Sequence, residues 1–107
     1  MQNENKRHAV IVSERAVGML VDHARFLANV SEEAAQNLIK DFQSASMSLE
    51  TFPERNPWLI DSALPINKYR KLVFGKRYLI IYQFKNDHVY VDFIIDCRQE
   101  YAWLHQT

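Results

Sequence analysis

A chain of 107 residues with no net charge and 48% apolar residues suits a single domain with a real core, and is too apolar to be disordered. Its one cysteine, Cys97, excludes an intramolecular disulfide and a thiol-rich metal centre. The polar start, Met1 to His8, is followed by no apolar segment long enough for a signal peptide or a membrane span, so the expectation is a soluble, cytoplasmic protein.

His8 to Ser13 reads as a short strand. Ser13 then caps a helix, with Glu14 in the first turn beside the positive helix end. Val17, Leu20, Val21, Ala24, Leu27 and Ala28 recur at helical spacing and predict one apolar stripe. Asn29 and Val30 break the pattern. Ser31 caps a second helix, followed by Glu32 and Glu33, with Ala35, Leu38, Ile39, Phe42, Ala45 and Leu49 as its stripe. Two such helices joined by a short turn predict an antiparallel hairpin. Pro53 is expected to end the second helix. Glu54 to Asn67 reads as a loop with Pro57 and Pro65, pinned to the core by Trp58, Leu59, Ile60 and Leu64.

The period then changes to two. Tyr69 to Phe74, Arg77 to Lys85 and His88 to Asp96 read as strands, joined by two-residue turns at Gly75-Lys76 and Asn86-Asp87. Tyr78, Ile80, Tyr82 and Phe84 share one face of the second of these strands. Strict alternation places Val89, Val91, Phe93 and Ile95 together on the third. Apolar residues on both faces predict a central position in a sheet, partly covered on each side. The fold class is α+β: an N-terminal strand, a two-helix hairpin, and a three-strand antiparallel meander in one sheet packed on the helices.

Charge is unevenly spread. Between Ile66 and Lys85 stand Lys68, Arg70, Lys71, Lys76, Arg77 and Lys85, with no acidic residue. Such a block can guide a polyanion, or can simply be a solvated strand edge kept soluble by lysine. His8, His23 and His88 lack metal-ligand spacing with Cys97 or a carboxylate, so no metal site and no cofactor are expected.

Three segments carry a resemblance. Leu49-Glu50-Thr51-Phe52-Pro53-Glu54-Arg55-Asn56-Pro57 resembles the helix end and loop of ParE-type toxins. Tyr69 to Phe84 resembles their basic hairpin, and Val89 to Arg98 their last strand. The chain therefore resembles the RelE/ParE toxin superfamily, the toxins of type II toxin–antitoxin (plasmid stabilisation) systems. One toxin domain would span residues 1–107, with residues 1–7 outside the resemblance and expected to be flexible. The resemblance implies a cognate antitoxin that wraps the toxin, no membrane association, and leaves a homodimer open. It also implies one of two targets. RelE-like members cut messenger RNA on the ribosome without a metal, whereas ParE-like members inhibit DNA gyrase and lack the RNase residues.

Metal-free RNA cleavage needs cations for the phosphate charge and a proton donor and acceptor. Carried over by position, the resemblance offers Arg70, Arg98, Tyr101 and His105 as catalytic residues, and Lys68, Lys71, Lys76 and Arg77 as nucleic-acid contacts. Leu72 and Leu79 depart from the nuclease pattern, because two phosphate-binding positions are apolar. Each residue also has a structural reading. Arg70 and Lys71 fit an edge strand, Arg98 fits an ion pair with Asp96 or Glu100, and Tyr101 fits a plug over an apolar face. Tyr78 and Tyr82 fit the core with paired hydroxyls, and Cys97 fits a small buried hydrophobe. The nuclease, an mRNA interferase, is placed first because the six-charge hairpin suits RNA phosphates. A gyrase inhibitor without catalysis and an inactive interaction module stand beside it. Whether the chain is an enzyme is left open.

Overall fold

The computed structural model describes residues 6–98. It contains β1 (Ala9–Val12), α1 (Glu14–Ala28), α2 (Glu32–Ser48), a 3₁₀ turn (Pro53–Arg55), β2 (Arg70–Phe74), β3 (Tyr78–Lys85) and β4 (His88–Asp96). The four strands form one sheet in the order β1-β4-β3-β2. β2, β3 and β4 are the antiparallel meander, and β1 joins its β4 edge in parallel. The expected fold class holds.

Both helices begin where the sequence places them. The Ser13 and Ser31 hydroxyls accept from the amides of Ala16 (3.0 Å) and Ala34 (3.1 Å), satisfying donors that a helix start leaves orphaned. The α1 stripe is rotated from expectation. Ala16, Leu20 and His23 are its buried residues, whereas Val17 and Val21 remain 46% and 38% exposed. His23 can be buried because its Nε2 lies 3.1 Å from the Ile94 carbonyl, and an imidazole with a partner loses little on leaving water. The displaced Val21, with Ala24 and Ala28, lines a shallow apolar groove against Ala35 and Ile39 of α2. In α2 the burial of Leu38 and Phe42 follows the expected stripe.

α2 stops at Ser48 with Leu49 as its cap, ahead of Pro53. Pro53 instead opens the 3₁₀ turn, a first-turn position where its missing N–H costs nothing. Phe52 precedes it in the left-handed region (φ 55°, ψ 49°).

The sheet is covered on both faces. On one side Ala16, Leu20, Leu38 and Phe42 from the helices meet Phe74, Tyr78, Ile80, Tyr82, Val89, Val91 and Ile94. On the other, Leu59 and Tyr69 from the connecting loop, with Leu64 beside them, cover Leu79, Ile81, Phe93 and Ile95. Strict alternation in β4 therefore fails. A register shift between Ile81 and Tyr82 makes Asp92 an extra residue, so Val89 and Val91 face the helices while Phe93 and Ile95 face the loop. The Asp92 carbonyl turned out by this bulge sits 3.4 Å from both Ser13 Oγ and Arg15 Nε, at the start of α1.

The first hairpin also departs by one residue. Phe74 pairs with Tyr78, leaving Gly75-Lys76-Arg77 as a three-residue connection with Gly75 and Lys76 at φ 58° and 74°. The second turn is the expected two residues, Asn86 and Asp87, both at positive φ. Within the start expected to be flexible, Lys6 pairs with Asp87 (2.8 Å) and Arg7 with Glu50 (2.9 Å), both near solvent. No helix among the described residues is long and apolar enough to cross a membrane.

Candidate functional site

The basic residues of the hairpin do not share one surface. Arg70 pairs with Tyr82 and Lys71 with Ile81, and those partners lie in the two opposite cores. Side-chain alternation therefore sends Arg70 and Lys71 to opposite faces of β2. Lys68 precedes the strand, its Nζ 5.3 Å from the Tyr69 ring centroid.

Arg70 is the centre of a network that holds the loop after α2. Its Nη1 donates to the carbonyls of Glu54 (2.9 Å) and Asn56 (2.6 Å), and its guanidinium stacks 3.7 Å over the Trp58 ring. Beside it the buried Tyr82 hydroxyl donates to the Pro53 carbonyl and accepts from Asn56 Nδ2 at 3.0 Å. The loop then runs along β2, where the Pro57 carbonyl accepts from the Lys71 amide and the Leu59 amide donates to the Tyr69 carbonyl. Burial pushes the Tyr82 phenol up, against the opposing influence of Asn56, Arg70 and Arg55, so it remains a neutral donor. Of the loop residues expected to pin the core, Leu59 and Leu64 do so. Trp58 instead lies under Arg70, and Ile60 is 87% exposed. Asn56 stands in the sequence only as part of the segment Leu49 to Pro57, with no role of its own. Its role follows only from the meeting of loop and sheet.

A second group gathers at the far end of β3. Lys76, Arg77 and Arg98 line one cleft of about 420 Å³ with Asp41, Asn37 and Tyr78. Asp96, 1% exposed, organises it: one oxygen lies 3.3 Å from Arg77 Nη2 and the other accepts from the Arg98 amide at 2.9 Å. Arg77 is thus held by a buried carboxylate, and Asp41 adds a further negative charge to the cleft. Tyr101 and His105 lie outside the described residues.

The two departures from the nuclease pattern are structural. Leu79 is buried in the loop-side core and the half-buried Leu72 packs on the helix-side core, so both side chains serve packing and neither offers a cation to a phosphate. Burial and the neighbouring Asp96 push the Cys97 thiol up, which keeps it protonated and a poor nucleophile. Among the described residues no group of three or more metal-ligating side chains stands together.

A helical hairpin on one face of a small mixed sheet, with a clamped loop sealing the other, is the frame of a type II toxin–antitoxin toxin. The model of the ParE toxin of the type II toxin–antitoxin system, parDE, matches residues 10–101, and the chain belongs to that family. A solved chain of the chromosomal ParDE toxin–antitoxin system from P. aeruginosa superposes with a TM-score of 0.67 at 11% identity. The match covers 86% of this chain and 98% of that one, and at such low identity it bears on the fold alone. A search of curated proteins gives no match. Family membership implies an antitoxin as partner.

Proposed function

We propose that this ParE-family toxin acts by binding a protein, DNA gyrase, with no chemistry of its own. The observation that carries this reading is the fate of Arg70. Both carbonyl contacts and the stacking on Trp58 commit its guanidinium to the fold, and it is the hairpin cation best placed by the resemblance for phosphate chemistry. The apolar Leu72 and Leu79 support the same reading, because the core has taken the positions where a nuclease would carry cations. Purified toxin should block gyrase supercoiling or trap cleaved DNA at micromolar concentration. An uninhibited gyrase under those conditions would remove the proposal.

The nuclease reading has one observation in its favour, the convergence of Lys76, Arg77 and Arg98 on a single cleft. It requires codon-positioned cuts in translated messages after induction, lost in Arg98→Ala. Intact messages in arrested cells exclude it.

A further inference from the structure

We infer that the outer face of the helical hairpin joins a second copy of this chain, so that two hairpins close into a four-helix bundle.

Part of the α1 stripe read from the sequence is left outside the core. Val17, Val21, Ala24 and Ala28 are spaced four, three and four residues apart, the spacing of a seam at which helices pack. In the structure Ala16, Leu20 and His23 take the core instead, and Val17 and Val21 stay open to solvent. Val21, Ala24 and Ala28 form one bank of a groove of about 330 Å³, with Ala35 and Ile39 of α2 as the other. Three alanines in its walls let another helix approach closely.

Charge selects the occupant. The rim carries Arg25 on the α1 bank and Glu32 on the α2 bank. Both are exposed, and neither is ion-paired among the described residues. A strongly acidic or strongly basic helix would gain on one bank and lose on the other. A second copy meets each bank with the opposite charge.

The geometry is self-consistent. α1 and α2 are joined by Asn29 to Ser31 alone and run antiparallel. A two-fold axis parallel to them lays α1 of one copy along α2 of the other. Every neighbouring pair in the bundle is then antiparallel, which also sets the helix dipoles in opposition. Val21 lies seven residues before the end of α1, and Ile39 seven after the start of α2. Val21 therefore stands level with the partner's Ile39, and Arg25 lies about one turn from the partner's Glu32. The connecting loops cover the other face of each sheet, so such a dimer leaves them open.

The test is sedimentation equilibrium of the full chain across about 1–300 µM, with melting curves to confirm folding. Wild type should dimerise with a Kd of about 1–100 µM, as a small interface does. Val21→Lys should stay monomeric throughout. Arg25→Glu and Glu32→Arg should each weaken the dimer about three- to tenfold at low salt, and an equimolar mixture of the two should associate at least as tightly as wild type. A monomeric wild type overturns the inference, and loss of antitoxin binding in Val21→Lys would then assign the groove to that partner. A Val21→Lys variant that dimerises like wild type overturns it too. Single reversals without effect, or a mixture that fails to recover association, overturn the two-fold pairing.

Discussion

Arg70 shows how a basic residue in a basic hairpin can be structural. Its Nη1 donates to two carbonyls while the guanidinium carbon sits 3.7 Å over the Trp58 ring centroid. Arg70→Ala should cost about 2–3 kcal/mol in urea unfolding, from two lost charged hydrogen bonds and the stacking on Trp58. Arg70→Lys should recover only part of this, since an ammonium can donate to the carbonyls but cannot stack on Trp58 as a guanidinium does. Tyr82 carries a pH signature. Burial holds the Tyr69 and Tyr82 phenols above the ordinary 10.0, so the folded chain keeps these protons to higher pH than the unfolded chain. The stability they contribute is complete below about pH 10 and is lost as pH rises through the raised values. Melting temperatures measured across that range should fall less steeply in Tyr82→Phe. At neutral pH the same variant should be about 1–2 kcal/mol less stable, because the Pro53 carbonyl and the Asn56 amide lose their partner.

Among the elements, α1 has room for improvement. Gly18 lies in the helix interior on an exposed position, and an added Cβ would meet nothing within 4 Å. Gly18→Ala should therefore stabilise the protein by about 0.5–1 kcal/mol, read as a shifted urea midpoint with an unchanged slope. Ser13→Ala and Ser31→Ala should each cost about 1 kcal/mol by leaving helix-start amides unpaired. Element type and order were legible from periodicity, caps and turn residues, because these are local properties. The β4 bulge was not. Val89 to Asp96 alternates cleanly when read alone, and only pairing with β3 sets Asp92 aside and exchanges the faces of Phe93 and Ile95. The rotation of α1 was hidden for the same reason: the apolar spacing holds no sign that His23 turns inward, where its Nε2 meets the Ile94 carbonyl of β4.

At the scale of the molecule, six clustered positive charges in sequence become several separate environments in space. Arg70 is bound into the loop, Lys71 points to the opposite face, and Arg77 is held by Asp96. A surface so divided should bind polyanions weakly. Fluorescence anisotropy with a single-stranded RNA should give a Kd of about 10⁻⁴–10⁻⁶ M at physiological salt, typical of non-specific contact, with a salt dependence that reports only a few phosphates neutralised. Nanomolar affinity with a steep salt slope would return attention to the cleft of Lys76, Arg77 and Arg98.

The amino-acid sequence by itself determined the strand–helix–helix–meander order, both helix caps and the apolar residues on both faces of the sheet, all of which rest on spacing along the chain. Tertiary structure alone decided which cations remain free. A side chain's charge is written in the sequence, but its partners are not: the Glu54 and Asn56 carbonyls that occupy Arg70, and the Asp96 carboxylate that occupies Arg77, come from segments that meet these residues only when the sheet has formed.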